Sequence, residues 1–405
     1  MPGKSVLEWP TGLSVYEPER CFNGYTLFSV WPSSSPGNGS LTYLIDMKGE
    51  VAHVWQSGGE GKSLGDGRLL AANDAVIREF NWENEVVWEY RMDERVEQHH
   101  DFARLPNGNT MILQRKKTEH EVPLPQISDR PVRDDYITEV TPDGDTVWAW
   151  HTNDHYDDFG FPPEIQQYIR DWYADKQRGA LGADWLHTNT LEVLPDGNVL
   201  LSFRNLNMIV IVDKATGKFA WKWGTDELVG QHHPNMLDNG NIVVYDNGSD
   251  GGVDAGYPPV YRSYTRLVEV NPKTEQIEWE YVYLPDNWIR THYTHHYTAQ
   301  LMCRFFSRAW GSVQRLPNGN TLSLDSVGSR LFEITHDGDI VWEYVSPYGP
   351  RGIGDWMINN VYRCYRIPFE DVPQAAKRKR AIQEDWRSGQ FPGWAALPTD
   401  LKDRR

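Results

Sequence analysis

The chain has 405 residues, of which 39% are apolar, 24% charged and 13% aromatic, and its 57 acidic and 40 basic side chains give a net charge of −17. A surface this acidic repels nucleic acid and anionic membranes, so neither is expected as a partner. The three cysteines, Cys21, Cys303 and Cys364, are too few for a disulfide framework, and their odd number favours a reducing compartment.

The N-terminal residues lead into Glu8, Pro10 and Glu17 rather than into an apolar segment. No signal peptide is readable there, and no apolar run approaches the ~18–20 residues that a membrane-spanning helix needs. The sequence therefore predicts a cytoplasmic protein.

A turn motif of Asn-Gly or Asp-Gly recurs along the chain. These dipeptides favour tight hairpins because they accept positive φ, and apolar runs such as Thr110–Leu113 and Val199–Phe203 follow them. Each copy predicts a hairpin between the first two strands of a repeated unit. In chain order the motif stands at Asn23-Gly24, Asp66-Gly67, Asn107-Gly108, Asp196-Gly197, Asn239-Gly240 and Asn318-Gly319.

A pair of ring-bearing residues, two positions apart, closes each unit. Alternate residues of a strand share a face, so both rings of a pair are expected to fill the space between neighbouring units. The pairs are His53/Trp55, Trp88/Tyr90, Trp148/Trp150, Trp221/Trp223, Trp279/Tyr281 and Trp342/Tyr344.

Six such units predict an all-β fold, a six-bladed β-propeller with four antiparallel strands in each blade. We expect a single propeller domain over residues 1–405 with a C-terminal helical extension at 370–405. Insertions, among them 152–183 and 284–308, are expected to cover one face, and 163–176 and 372–386 to be helical. The expected blades are at about 21–55, 62–91, 99–151, 185–224, 231–283 and 310–347.

Unusual polar residues stand at the start of the first strand and at the end of the second strand in successive units. Because these strands are antiparallel, both positions lie at the same mouth of the central channel. A single histidine at a strand start is more often a structural residue, but the coincidence over three units predicts a pocket. The first position holds His99 and His100, His187 and Asn189, and His232 and His233, and the second holds Arg115, Arg204 and Asn247.

The insertion at residues 284–308 contains the histidine-rich run THYTHH at 291–296. Its spacing does not fit a strong zinc signature, so we expect neither a metal nor another cofactor. Tyr293 and Tyr297 of this insertion are expected to pack against an aromatic substrate over the channel mouth.

Four segments together resemble bacterial arylsulfotransferases, the aryl-sulfate sulfotransferase group of six-bladed propellers. In that family a histidine attacks the sulfur of a phenolic sulfate, and the resemblance implies His232 as this nucleophile. It also implies catalytic positions at His100, His187 and Arg204. The segments are HHDFARLPNGNT, DWLHTNTLEVLPDGNVLLSFRN, GQHHPNMLDNGNIVVYDNG and GSVQRLPNGNTLSL, in this order over roughly residues 99–347.

The chemistry suits these residue types, because neutral imidazole is a competent nucleophile and the planar arginine fork matches sulfuryl oxygens. The other residues of the pocket are expected to bind the substrate, a small phenolic or aromatic compound. They are Asn189, His99, His233, Arg115 and Asn247, together with Tyr293 and Tyr297.

Two alternatives stay open at this point. The same pocket could support acid–base chemistry, as in a cytosolic lyase or hydrolase that acts on a lignin-derived or other phenolic compound by β-elimination or loss of formaldehyde. A propeller that only binds its ligand is the other alternative. The sequence leaves the substrate, the acceptor and the oligomeric state undetermined.

Overall fold

The structure is a computed structural model, which describes residues 11–30, 40–117, 120–174, 184–248, 262, 264–283, 305–307, 309–348 and 361–376. Within these ranges the regular secondary structure is predominantly antiparallel β-sheet. Six sheets of four or five strands are the blades of a propeller, and a further two-stranded sheet lies in an insertion. The fold class predicted from the sequence is confirmed.

The strands are numbered in chain order. The first fourteen are β1 (Gly12–Tyr16), β2 (Gly24–Val30), β3 (Leu41–Ile45), β4 (Val51–Trp55), β5 (Glu60–Gly65), β6 (Arg68–Ala72), β7 (Val76–Phe80), β8 (Val86–Arg91), β9 (Val96–Arg104), β10 (Thr110–Lys116), β11 (Val122–Leu124), β12 (Ser128–Val132), β13 (Asp135–Val140) and β14 (Thr146–His151). The others are β15 (Thr188–Val193), β16 (Val199–Phe203), β17 (Met208–Val212), β18 (Phe219–Trp223), β19 (His232–Met236), β20 (Ile242–Asp246), β21 (Arg266–Asn271), β22 (Gln276–Val282), β23 (Ser312–Arg315), β24 (Thr321–Asp325), β25 (Arg330–Ile334), β26 (Ile340–Val345) and β27 (Val361–Pro368).

Each blade is a meander that runs outward from the channel. The second to fifth blades are β5–β8, then β9, β10, β13 and β14, then β15–β18, then β19–β22. The predicted Asn-Gly and Asp-Gly turns join the first two strands in five of the six blades. The innermost strands β9, β15, β19, β23 and β27 contact one another in this order around the channel.

The first blade corrects one prediction. Its strand order is β27-β2-β3-β4, so the C-terminal strand β27 is its innermost strand. Asn23-Gly24 is therefore not a hairpin turn, because Gly24 begins β2 and pairs with Pro368 of β27. Pairing the two ends of the chain in one sheet closes the ring and removes an exposed edge. The N-terminal strand β1 pairs with β26 and gives the last blade a fifth strand.

The predicted aromatic positions lie between blades. In five blades a tryptophan of the fourth strand from the channel donates its indole N–H to a carbonyl in the turn that precedes the fourth strand of the next blade. These bonds run from Trp55 to Asn81 (3.1 Å), Trp88 to Pro142 (2.7 Å), Trp150 to Gly217 (2.9 Å), Trp279 to His336 (2.9 Å) and Trp342 to Met47 (2.9 Å). A repeated polar contact therefore accompanies the apolar packing at these junctions.

Two insertions pack together beside the third and fourth blades. A 3-10 helix, Thr152–Phe159, and the helix α1, Pro163–Ala174, follow β14, and β11 and β12 form a hairpin inside the third blade. Arg170 of α1 donates to the carbonyl of Gln126 in this hairpin at 2.8 Å. Beneath them, Tyr156, Phe159 and Ile169 join the apolar cluster around Trp185.

The helix predicted at 163–176 is confirmed by α1. Of the helix predicted at 372–386, residues 373–376 are helical and the remainder lies outside the described residues. No helix in the described part of the chain is long and apolar enough to span a membrane.

Candidate functional site

Histidines with left-handed backbone stand within, or directly before, three consecutive innermost strands. The φ angle is 57° at His100, 50° at His187 and 49° at His233. The pairing of each innermost strand with its neighbour shifts register close to these residues, as at a β-bulge. Non-glycine residues with positive φ are strained and cluster at functional sites. The backbone thus aims these side chains in directions that a regular strand would not.

His100 of the third blade and His187 of the fourth blade meet tip to tip, with their Nε2 atoms 3.1 Å apart. The carboxylate of Asp184 holds His187 from behind: Oδ2 lies 2.6 Å from Nδ1, and Oδ1 accepts the backbone N–H of His187 at 2.9 Å. Because a carboxylate only accepts, Nδ1 of His187 carries a hydrogen. Burial opposes ionisation of Asp184, but His187, His99 and Arg115 outweigh it and lower the pKa of Asp184.

His100 is enclosed by rings and by other basic groups. Its imidazole stacks on Tyr362 with 5.5 Å between ring centroids and 18° between planes. Burial first, and then the charges of His99 and His187, lower its pKa well below the usual value. His100 is therefore neutral near pH 7.

His99 and Arg115 form a second group beside this pair. Arg115 Nη1 donates to Nε2 of His99 at 3.0 Å, and Nδ1 of His99 lies 3.2 Å from Asp135 Oδ1. Burial lowers the pKa of His99, although Asp135 opposes the effect. Arg115 also binds Glu97 at 2.5 Å and lies 3.7 Å from Asp184. The predicted pairing of a strand start with the adjacent strand end is thus observed in this blade.

His232 is held in one tautomer by the end of the adjacent strand. Its Nδ1 lies 2.8 Å from Asn247 Oδ1 and 3.0 Å from the carbonyl of Gly230, both acceptors. The amide nitrogen of Asn247 donates to the carbonyls of Ser307 and Trp310 at 2.7 Å, which fixes the amide with its oxygen toward His232. Nδ1 therefore carries the hydrogen and Nε2 keeps its lone pair. Among the described residues, no hydrogen bond reaches this Nε2.

Arg204 supplies positive charge next to these histidines. It begins a 3-10 helix, Arg204–Leu206, after β16, and its backbone N–H donates to the carbonyl of His187 at 3.3 Å. Burial first, then the charge of Arg204 and, among smaller effects, that of His187 lower the pKa of His232 well below the usual value. His232 is therefore within electrostatic range of His100, His187 and Arg204.

Two predicted substrate-binding residues make contacts within the fold. The amide of Asn189 donates to the carbonyl of Gln231 at 2.8 Å, directly before His232. Nδ1 of His233 accepts the backbone N–H of Val313 at 3.2 Å, and its ring meets Tyr365 edge-on. His232, not His233, is thus the histidine that faces Asn247. The predicted Tyr293 and Tyr297 lie outside the described residues.

Sequence reasoning missed the charged residues in the middle of the ring. Asp101 is fully buried and accepts hydrogen bonds from Lys62 of the second blade and from Arg363 of β27, the latter at 2.7 Å. Arg363 also donates to the carbonyl of Asn189 at 2.8 Å. Asp101 follows the His99-His100 pair directly, and this position could have marked it as part of the site. By contrast, β27 carries no repeat motif that would identify Arg363.

The histidines of the third and fourth blades also have the spacing of a cation site. One ligand nitrogen from each of His99, His100 and His187 lies within 4.8 Å of the others. However, Arg115 donates to Nε2 of His99, and its positive charge opposes a second cation. A metal would therefore require Arg115 to move, and the described arrangement suits an anion better.

A family model matches part of the chain. Residues 33–229 match the family model described as Arylsulfotransferase (ASST), just under half of the chain. The matched residues include His100, His187 and Arg204, and His232 lies just beyond their end. The resemblance predicted from the sequence is confirmed. A search of curated proteins gives no match.

Solved structures of similar shape have low identity to this chain. A protein of unknown function from Bacteroides caccae has 14% identity and a TM-score of 0.49, over 84% of this chain and 98% of that one. A streptogramin B lyase has 11% identity and a TM-score of 0.44, over 84% and 83%. A virginiamycin B lyase from Staphylococcus aureus has 9% identity and a TM-score of 0.41, over 83% and 88%. Scores in this range carry no inference about activity.

Proposed function

We propose that this six-bladed propeller, arylsulfotransferase-like over residues 33–229, transfers a sulfuryl group from an aryl sulfate to a phenol through His232. The observation that carries the proposal is the environment of His232. Asn247 and Gly230 accept its Nδ1–H, and burial keeps the ring neutral, so an Nε2 lone pair is available as a nucleophile.

The first half-reaction forms a sulfo-histidine. The Nε2 lone pair of His232 attacks the sulfur of the aryl sulfate, and an N–S bond forms as the bond from sulfur to the phenolic oxygen breaks. The bonding electrons leave with the phenolate, which takes a proton from the singly protonated His100–His187 pair and leaves both imidazoles neutral. That pair is suited to the task because its two Nε2 atoms already share a hydrogen bond at 3.1 Å.

The second half-reaction runs the same steps in reverse with an acceptor phenol. The acceptor gives its proton back to the His100–His187 pair, its oxygen attacks the sulfur, and the N–S bond breaks. The electron pair returns to Nε2 of His232, so the enzyme is unchanged after a full cycle. One pair of imidazoles thus serves both leaving group and acceptor, which are chemically alike.

Arg204 is the cation best placed for the transferred group. Its guanidinium lies near enough to His232 to lower that residue's pKa, and a planar fork can bind two sulfuryl oxygens at once. A local positive charge is necessary because the protein as a whole carries −17 and repels an anionic substrate. Fixed charge of this kind stabilises the transition state without reorganisation.

The proposal is tested by detecting the covalent sulfo-histidine intermediate. The protein is incubated with 4-nitrophenyl sulfate, with and without phenol, and its mass is measured after rapid quenching. We expect a gain of one sulfo group without phenol, loss of that gain with phenol, and neither mass gain nor turnover in His232→Ala. His336→Ala is the matched control, because His336 is an exposed histidine that stacks on Trp279 at the outer edge.

Two results would contradict the proposal. Full turnover by His232→Ala would show that His232 is not the nucleophile. Turnover of an unsulfated phenol by the wild type, with no covalent adduct at any time, would replace sulfuryl transfer by the acid–base lyase chemistry that the same pocket allows.

A further inference from the structure

Asp184 holds His187 by two bonds in a fixed geometry. Its Oδ2 accepts the Nδ1–H of His187 at 2.6 Å, and its Oδ1 accepts the backbone N–H of the same residue at 2.9 Å. The backbone of Asp184 is held as well, since Asn205, the neighbour of Arg204, donates to its main-chain carbonyl at 2.7 Å. With the side chain of Asp184 8% exposed, His187 has little freedom to rotate.

This arrangement decides where the hydrogen between the two histidines lies. With Nδ1 of His187 donating to Asp184, neutral His187 has only a lone pair at Nε2. The hydrogen in the 3.1 Å gap must then come from Nε2 of His100. The hydrogen bonds in this chain therefore all point the same way: His100 donates to His187, and His187 donates to Asp184. A proton exchanged with a ligand enters or leaves this chain at His100.

We propose that Asp184 is a positioning residue that sets the tautomer of His187 and, through it, the side from which the His100–His187 pair gives and takes a proton. The inference rests on the proposed function, in which this pair exchanges a proton with the phenolic oxygen. Asp184 touches neither substrate nor sulfur in this scheme. It acts only through His187.

The charge around Asp184 supports this role over a purely electrostatic one. Arg115 and Arg133 lie 3.7 Å and 4.0 Å from Oδ2, beyond hydrogen-bond distance, whereas His187 lies at 2.6 Å. Arg115 and Arg133 also have nearer carboxylates, Glu97 at 2.5 Å and Glu121 at 3.0 Å. The close contact of Asp184 is therefore with the imidazole.

The test replaces the carboxylate by an amide of the same shape. In Asp184→Asn the amide oxygen can still accept the backbone N–H of His187, which leaves the amide nitrogen facing Nδ1. An amide nitrogen only donates, so Nδ1 of His187 must accept and the hydrogen moves to Nε2. The hydrogen bond between His187 and His100 then runs in the opposite direction. We expect kcat with 4-nitrophenyl sulfate and phenol to fall by about 10²–10⁴, with little change in KM.

The tautomer is measured directly by nitrogen NMR of protein labelled with ¹⁵N-histidine. We expect Nδ1–H for His187 in the wild type and Nε2–H in Asp184→Asn, a change that a merely structural residue would not produce. Asp134→Asn is the matched control. Asp134 binds Nδ1 of His151 at 2.7 Å and the N–H of Asn153 at 3.1 Å, the same arrangement outside the site. In that variant the tautomer of His151 should change while kcat does not.

Each other outcome has a definite meaning. An Nε2–H tautomer of His187 in the wild type, or an unchanged kcat in an Asp184→Asn protein whose tautomer has switched, overturns the inference. If the wild type transfers no sulfuryl group, the proposed function fails by itself, and the tautomer alone decides whether Asp184 positions His187. Should Asp184→Asn not fold, Asp184→Glu keeps a carboxylate and is expected to keep the Nδ1–H tautomer; its loss there also overturns the inference.

Discussion

At the scale of single residues, the partner of Nδ1 distinguishes the histidines of this protein. His151, His155 and His187 each place Nδ1 against a carboxylate, whereas His232 places it against the amide oxygen of Asn247. A carboxylate favours the charged imidazolium, and an amide orients the ring without adding charge. Burial first, and then the charge of the nearby Arg204, lower the pKa of His232 against the opposing effect of the Asn247 hydrogen bond, and so keep the ring neutral, which a nucleophile requires.

The two contributions of Arg204 are separable by a pair of substitutions. Arg204→Lys keeps a positive charge but loses the fork, so we expect the rate of sulfuryl transfer to fall by about 10²–10³ with the acid limb of the pH profile unmoved. Arg204→Leu also removes the charge that lowers the pKa of His232, so the acid limb should move up toward pH ~6.5.

The measurement is the single-turnover rate of sulfo-enzyme formation between pH 4 and 8. The rate rises with pH through the pKa of His232, because only the neutral ring attacks. Identical acid limbs in the wild type and Arg204→Leu would show that Arg204 does not act on His232.

At the scale of the blade, the tryptophan contacts explain why the closing strands carry rings. Five junctions have an indole N–H bonded to the next blade, and these bonds are about 2.7–3.1 Å long. The fourth blade differs, because the indole nitrogen of Trp221 is buried and has no hydrogen-bond partner among the described residues. Each contact gives a turn carbonyl a hydrogen-bond donor from the neighbouring blade.

Because the indole of Trp221 lacks this hydrogen bond within the described part of the chain, the fourth blade provides a control for the contribution of the bond to stability. Trp150→Phe removes the 2.9 Å bond to the carbonyl of Gly217, whereas Trp221→Phe removes an N–H that has no such bond. Both substitutions replace an indole by a phenyl ring, at a buried position for Trp150 and at a half-buried position for Trp221. We expect Trp150→Phe to lower the free energy of unfolding by about 1 kcal/mol more than Trp221→Phe, measured by urea denaturation. Equal losses would mean that these bonds contribute nothing beyond packing.

At the scale of the whole molecule, a buried charge network ties the ring together at its centre. Asp101 of the third blade binds Lys62 of the second and Arg363 of the first, and Arg363 binds the fourth blade at Asn189. The bulges that carry His100 and His187 lie next to these contacts along the chain. Closure of the ring by β27 therefore also supports the candidate site.

The buried histidines also make the stability of the molecule depend on pH. Burial is the first cause that lowers the pKa of His99, His100, His232 and His233. Below pH ~6.5 the unfolded chain protonates these four groups while the folded chain does not, so unfolding takes up protons. The free energy of unfolding must then fall as the pH drops.

Two buried carboxyl groups act in the opposite direction. Burial raises the pKa of Glu192 to about 7 and that of Asp325 to about 6, so the folded chain holds these protons where the unfolded chain has released them. Burial also raises the pKa of Glu121, so four histidines stand against three carboxyl groups, and stability falls on acidification. We expect the thermal unfolding midpoint to fall from pH 7 to pH 5 and to fall more steeply in Glu192→Gln. A midpoint that rises on acidification would contradict this assignment.

The sequence by itself determined the repeated part of the fold. Asn-Gly and Asp-Gly turns and alternating rings are local signals, because turn conformation and strand facing depend on residues close in the chain. The same local geometry predicted that a strand start meets the end of the adjacent strand, and His99 with Arg115 and His232 with Asn247 are such pairs in the structure. The roles of these residues stay predictions.

Only the tertiary structure decided how the ring closes and how each histidine is oriented. Asn23-Gly24 has the composition of a hairpin turn, yet its strand pairs with β27, more than 300 residues away. Arg363 reaches Asp101 over a separation of 262 residues, and the choice between His232 and His233 depends on which side chain reaches Asn247. Such contacts leave no periodic pattern in the sequence, because they join residues that become neighbours only when the last strand completes the ring.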